Sequence, residues 1–131
     1  CQVLMPRLES DLLELLLAAR RGTLDKVDVR WREDAALTVV MASKGYPGPY
    51  EKGQVITGLE EAAALPGITL FHAGTAERDG QIVAVGGRVL NVTATGPTIA
   101  EARKRAYDAV DLVHWPDAFC RRDIGWRALH R

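Results

Sequence analysis

Residues 35–42, AALTVVMA, are apolar but for one threonine, and the segment that follows, Ser43 to Gly53, holds three glycines and two prolines. This junction constrains the fold more than any other stretch. An apolar run of that length reads as a buried, central strand. Glycine then opens backbone conformations that other residues avoid, and proline fixes one torsion, so the strand gives way to a tight and partly rigid loop. Lys44, Tyr46, Tyr50 and Lys52 are held on that loop. A basic, aromatic, pre-shaped loop at a strand end suits an anionic small molecule.

Helices and strands alternate along the rest of the chain. Ser10 is expected to cap a helix from Asp11 to about Arg21, stopped by Gly22. Leu12, Leu15, Leu16 and Ala19 form its apolar stripe, and Leu13 and Leu17 widen it, so this helix needs cover on more than one side. Thr23 to Asp34 is a polar connection carrying Trp31. Gly53–Ile56 reads as a short strand. Thr57 and Glu60 have capping-box spacing for a brief helix through Ala64, ended by Pro66-Gly67. Ile68–Ala73 reads as another strand. Asp79-Gly80 between Thr75–Arg78 and Gln81–Val85 signals a hairpin. Arg88–Thr95 alternates Val89, Asn91 and Thr93 against Leu90, Val92 and Ala94. A second capping box, Thr98 with Glu101, opens a helix from Ile99 to Val113, whose face Ile99, Ala102, Ala106 and Val110 is small enough to lie close on a sheet. Regular structure is expected to end at Pro116. The fold class is therefore α+β, a small mixed or antiparallel sheet with packed helices.

Composition excludes several classes of function. With 131 residues, 47% apolar and 26% charged, the chain can bury a real core. Lys plus Arg is 17 and Asp plus Glu is 17. Zero net charge argues against a broad nucleic-acid face, which needs excess cations to displace phosphate counterions. No apolar run nears the roughly 20 residues that span a bilayer, so no membrane partner is expected. No basic segment followed by an apolar core marks a signal peptide. Cys1 and Cys120 give neither a disulfide framework nor metal spacing, and fit a reducing compartment.

Generic catalytic motifs are missing. Gly48 and Gly53 match the glycine spacing of a phosphate loop, but Gln54 follows where lysine and a hydroxyl residue are needed. His72, His114 and His130 are scattered without ligand spacing, and His72 reads as a hydrogen-bonded structural histidine. Neither cysteine has the local signature of a nucleophile. Asn91-Val92-Thr93 matches a glycosylation acceptor only by chance, because it lies in an expected strand.

Five segments in order carry a resemblance. They are Gln2-Val3-Leu4-Met5-Pro6-Arg7-Leu8 with Ser10-Asp11-Leu12-Leu13; Leu37 through Gly48; Phe71-His72-Ala73-Gly74-Thr75; Gly86 through Ala94; and Arg121 through Leu129. Together they resemble phosphoribosylamine–glycine ligase, also called glycinamide ribonucleotide synthetase, nearly end to end. The resemblance implies the last third of an ATP-grasp ligase. A metal-binding segment Arg-Phe-Gly-Asp-Pro-Glu is expected immediately before Cys1. Residues 1–22 are expected to end the ATP-grasp domain, and 23–131 to form the small C-terminal domain that packs on the others.

By the same resemblance the whole enzyme joins glycine to 5-phosphoribosylamine with ATP through a glycyl phosphate, and is cytoplasmic. ATP and its magnesium or manganese are expected mainly on the remainder of the ligase, so neither a catalytic residue nor a metal ligand is assigned here. The expected substrate-binding residues are Lys44, Arg88, Tyr46 and Lys52. Lys44 leaves the central strand where a loop can face a cleft, and Arg88 follows Gly86-Gly87, where two glycines permit close approach to a ligand. Solvation of Lys44 and pairing of Arg88 with a carboxylate are the competing readings. In the tail, Ile124 and Trp126 are expected to dock on the sheet while Asp123 pairs an arginine. Two alternatives stay open: a non-catalytic binding or dimerisation module, and an ATP-grasp carboxylate–amine ligase with a different acceptor.

Overall fold

Two antiparallel sheets and one long helix build the core of the computed structural model, which describes residues 1–130. Nothing is described of Arg131 or of the His130 side chain, so the reading of His130 lies outside the described residues. The strands are β1 (Ala35–Ser43), β2 (Gln54–Val55), β3 (Ile68–His72), β4 (Thr75–Arg78), β5 (Gln81–Ala84), β6 (Arg88–Gly96) and β7 (Ala118–Cys120). They form one sheet ordered β3-β6-β1-β7 and a second ordered β2-β5-β4. The helices are α1 (Leu4–Arg7), α2 (Leu12–Arg21), α3 (Leu59–Ala63) and α4 (Ile99–Val110). The expected α+β class is observed.

The strand foreseen as central, β1, is flanked by β6 on one side and β7 on the other. In register, Leu37, Val39 and Met41 stand opposite Ala94, Val92 and Leu90. That face is covered by α4, whose Ala102, Ala106 and Ala109 are fully buried. Methyl side chains let helix and sheet approach closely. Thr98 caps α4 as expected, its hydroxyl accepting from the Glu101 N–H at 3.2 Å. On the opposite face of the same sheet the Thr93 hydroxyl donates to that of Thr38 at 2.9 Å, satisfying two polar groups side by side.

The pairing of β1 with β6 carries a bulge. Met41 is opposite Leu90, yet the next residue, Ala42, is opposite Arg88. Strict alternation would put Arg88 on the same face as Leu90, in the core. The extra residue, Val89, is fully buried and Arg88 is turned out to the face of Val40 and Ala42.

Several expectations need correction. Asp11, not Ser10, caps α2, accepting from the Leu13 and Glu14 N–H groups at 2.7 and 3.1 Å. The Ser10 hydroxyl is occupied elsewhere: it accepts from the Arg30 N–H and donates to the Asp28 carbonyl. Only Ala18 of α2 is buried, so the expected stripe of Leu12, Leu16 and Ala19 is uncovered. Thr57 does not cap α3. It pairs with His114 across an isolated bridge and donates its hydroxyl to the His114 carbonyl, and Gly58 holds the cap position without a side-chain bond. The helix expected to reach Val113 ends at Val110. Pro116 does not end regular structure, because β7 follows and joins β1.

Residues 30–32 zip back onto 7–9. The Glu9 N–H donates to the Arg30 carbonyl at 3.0 Å, and the Arg32 N–H to the Arg7 carbonyl at 2.7 Å. The helical start of the chain and the connection after it therefore hold each other. Both cysteines are free thiols. No described helix is long and apolar enough to cross a membrane.

Candidate functional site

The loop after β1 is lashed to the turn before β6. Ser43, almost wholly buried, donates its N–H to the Gly87 carbonyl at 2.9 Å and its hydroxyl to the Gly86 carbonyl at 3.1 Å. The loop then doubles back on itself. Gly45 takes a φ of +95°, and a Cβ placed there would stand 2.1 Å from the Pro49 carbonyl oxygen, so only glycine fits. The rings of Tyr46 and Tyr50 lie against Gly87. Behind them Gly74 and Gly86 touch backbone to backbone, which brings a third loop, 72–75, into the cluster. The Gly-Gly turn thus serves contact with the protein's own tyrosines and with another loop.

This packing sorts the four expected binding residues into different places. Lys44 projects into an open cleft of about 440 Å³ lined also by Tyr50, Glu51 and Asp117. Its Nζ pairs with Asp117 Oδ1 at 3.0 Å, and the side chain is 74% exposed. Tyr46 and Arg88 share a second open cleft of about 380 Å³, floored by Val40, Ala42 and Phe119 and rimmed by Arg121. Lys52 lines neither; its Nζ sits 5.8 Å from the centroid of the Tyr50 ring, a cation–π contact. Among the described residues Arg88 has no ion pair and no side-chain hydrogen bond. The carboxylate partner that competed with a binding role for Arg88 is not seen.

The tail beside the second cleft is clamped by α4. Tyr107 Oη donates to the Arg121 carbonyl at 2.8 Å and accepts from the Ile124 N–H at 3.1 Å. Arg103 donates to the Ile124 and Arg122 carbonyls, each at 2.9 Å, while its guanidinium stacks on the Tyr107 ring. Arg122 stacks on the same ring and pairs with Asp111 at 2.6 Å. Asp123 pairs with Arg121 through two bonds, at 2.9 and 2.5 Å. Tail docking is therefore as expected for Ile124, which packs on the core, and for Asp123. Trp126 differs: it stays about half exposed.

These contacts move several pKa values. The hydrogen bonds from Arg121 hold the Asp123 carboxyl below the usual aspartate value, and Asp123 in return raises the Arg121 guanidinium. Asp111 raises Arg122 through its hydrogen bond. Burial pushes the Cys120 thiol up, against the opposing charge of Arg122. A thiol shifted that way is a poor nucleophile. His72 Nδ1 lies 2.9 Å from the Thr75 hydroxyl, the hydrogen-bonded role expected of it. Asn91 is buried within β6, in keeping with a chance glycosylation motif. Among the described residues no three His, Cys, Asp or Glu side chains gather as a metal-binding group.

Asp117 and Arg121 take part in the two clefts, and sequence reasoning gave neither a site role. Neither has a local signal, because each reaches its cleft only through the pairing of β7 with β1.

Comparison with known proteins bears on the same segments. The sequence model described as the C domain of phosphoribosylglycinamide synthetase matches residues 36–127. The chain belongs to this family. The match includes β1 through the tail, and with them Lys44, Tyr46, Lys52, Arg88 and Arg121. Over 131 residues the chain is 63% identical to phosphoribosylamine–glycine ligase of Mesorhizobium japonicum, covering 100% of this chain and 31% of that protein. It is 58% identical over 133 residues to the chloroplastic phosphoribosylamine–glycine ligase of Arabidopsis thaliana, covering 100% of this chain and 25% of that protein. The crystal structure of phosphoribosylamine–glycine ligase from Thermotoga maritima matches with a TM-score of 0.70 at 39% identity, covering 85% of this chain and 26% of that one. This synthetase C-domain chain thus spans about three tenths of the length of its bacterial curated relatives.

Proposed function

We propose that the chain is the C-terminal part of a phosphoribosylamine–glycine ligase, acting in the cytoplasm. In this reading residues 1–22 end the ATP-grasp domain and 23–131 form the C-terminal domain that packs on the rest of the enzyme. The observation that carries the proposal is the 63% identity across the entire chain to a protein of that name. The loop cluster supports it, because it holds cationic and aromatic side chains on a rigid frame at the end of the central strand.

The proposed reaction is ATP, glycine and 5-phosphoribosylamine giving ADP, phosphate and glycinamide ribonucleotide. A glycine carboxylate oxygen attacks the terminal phosphorus of ATP, and ADP leaves. The amine of phosphoribosylamine then attacks the acyl carbon of glycyl phosphate, phosphate leaves, and the amine loses a proton. Among the described residues no cluster of His, Cys, Asp or Glu suits a magnesium or manganese ion, and ATP with its metal is assigned to the rest of the ligase. What this chain supplies is binding and orientation. Lys44, Tyr46, Lys52 and Arg88 are the side chains it offers to the phosphoribosyl substrate. Such positioning accounts for much of the rate in phosphoryl and acyl transfer.

The test is an assay of the full-length protein for ADP release that requires both glycine and phosphoribosylamine, with the product identified by mass. The chain alone should give no turnover above a mock preparation. Failure of the full-length protein to use phosphoribosylamine, or faster use of another amine, would end this reading. The exposed leucines of α2 favour a second reading, a dimerisation module without catalysis.

A further inference from the structure

Phe71-His72-Ala73-Gly74-Thr75 carries part of the resemblance yet lines neither cleft. What it does is hold a turn. The Gly74 carbonyl accepts from the Val85 and Gly86 N–H groups at 2.8 and 3.0 Å, and the Gly74 N–H donates to the Val89 carbonyl at 3.0 Å. A Cβ on Gly74 would stand 2.5 Å from the Arg88 carbonyl oxygen and 2.7 Å from Gly86 Cα. The Gly86-Gly87 turn therefore has backbone pressed against one side. Ser43 grips it from the end of β1, with its N–H on the Gly87 carbonyl and its hydroxyl on the Gly86 carbonyl. Two consecutive glycines have no side chains and the most backbone freedom to lose, so contacts from outside decide where this turn stands. Arg88 follows it directly, and the Tyr46 ring leans on Gly87. The Tyr46 N–H also donates to the Ser43 carbonyl at 3.1 Å. Ser43 thus ties Tyr46 and Arg88 to one point.

We infer that Ser43 is a positioning residue for substrate binding: its hydroxyl, working against the Gly74 backbone, fixes the Gly86-Gly87 turn and so sets Arg88 relative to Tyr46. The inference rests on the ligase reading for what those two side chains bind. Ser43 is 2% exposed and acts through its neighbours. Removing its hydroxyl leaves the Gly86 carbonyl without that donor and frees the turn to drift, so binding suffers while the chemical step, which runs on the rest of the ligase, does not.

The experiment uses the full-length protein carrying Ser43→Ala, Ser43→Thr, Gly74→Ala or, as a control, Thr98→Ala. The control removes the α4 cap beyond the opposite end of β6 and costs stability without touching the turn. Kinetics are measured well below the lowest melting temperature of the set. Ser43→Ala should raise KM for phosphoribosylamine about fivefold, with kcat, KM for ATP and KM for glycine little changed. Gly74→Ala should show the same pattern, because it displaces the turn from the other side. Ser43→Thr keeps the hydroxyl and should restore most of the lost binding. If threonine proves too large, seen as a lowered melting temperature, Ser43→Ala and Gly74→Ala decide between them. An equal rise in KM in Thr98→Ala would make the effect one of general stability and overturn the inference. So would a fall in kcat at unchanged KM. Normal ligation with unaltered constants in Ser43→Ala and Gly74→Ala overturns it too and leaves the ligase reading intact. A readout free of activity separates the remaining case: carbon-13 NMR of the tyrosine rings, with Tyr46 assigned through Tyr46→Phe. Its ring resonances should move in Ser43→Ala and return in Ser43→Thr. A full-length protein that does not ligate phosphoribosylamine ends the ligase reading. Tyr46 resonances that still move and return would then uphold the positioning role, and unmoved ones would overturn it.

Discussion

Gly87 is pressed against Tyr46: a Cβ built on Gly87 would stand 2.2 Å from Cδ2 of the tyrosine ring. The ring edge that forbids the methyl group also walls the cleft of Arg88, so the glycine sets where that wall stands. Gly87→Ala should cost about 1–3 kcal/mol through overpacking, read as a lowered melting temperature or urea midpoint. In a Tyr46→Ala background the penalty should shrink, since neighbouring substitutions couple by about 0.5–3 kcal/mol. Equal penalties in both backgrounds would mean the ring is not the obstacle.

Tyr107 ties α4 to the tail by giving one hydrogen bond and accepting another. Tyr107→Phe removes both and leaves the partly buried Ile124 N–H unmatched. The expected loss is about 1–3 kcal/mol, with faster protease cleavage near Arg121 and Arg122. The ring remains, so the stacking of Arg103 and Arg122 should persist. Urea denaturation and limited trypsin digestion check the two effects separately.

The Asp123–Arg121 pair gives a pH dependence with a definite sign. The folded-state pKa of Asp123 lies below its unfolded value. The pair therefore contributes fully above the ordinary aspartate value, about 3.9. That contribution is lost as pH falls through the depressed folded value. Carbon-detected NMR titration of the Asp123 carboxyl should place its midpoint below that of an unstructured aspartate. Arg121→Gln should bring it back up. An unshifted midpoint in the unsubstituted protein would show that the pair does not persist in water.

Local chemistry was legible in the sequence and tertiary capture was not. Asp79-Gly80 predicts its own hairpin, because both residues tolerate the positive φ observed there, 51° and 75°. Thr98 and Glu101 cap α4 because nothing competes for the threonine hydroxyl. Thr57 and Glu60 have the same spacing and fail, because the Thr57 hydroxyl is taken by His114, far along the chain. Ser10 loses its cap to Asp11 for the same reason, through Arg30. The candidate site divides likewise. Lys44, Tyr46 and Arg88 could be named from the Gly and Pro signals beside them. The bulge that aims Arg88, and the strand β7 that brings Asp117 and Arg121 to the clefts, depend on pairings that no short window of sequence contains.

Exposed leucines on α2 make a prediction that separates the two functional readings. Leu13 and Leu16 are 64% and 59% exposed, and Leu12 and Leu17 lie beside them on the same face. Apolar area of this kind gains about 25 cal/mol for each Å² removed from water. The chain in isolation should therefore associate at micromolar concentration, seen by light scattering. Leu13→Glu with Leu16→Glu should abolish this without lowering the melting temperature, because neither side chain contributes to the core. The form of the association decides between the readings. If the face normally packs on the rest of a ligase, the isolated chain should give a broad distribution of sizes, since the surface was never shaped to fit itself. A sharp dimer that survives in the full-length protein would instead favour a module whose leucines evolved to meet a second copy.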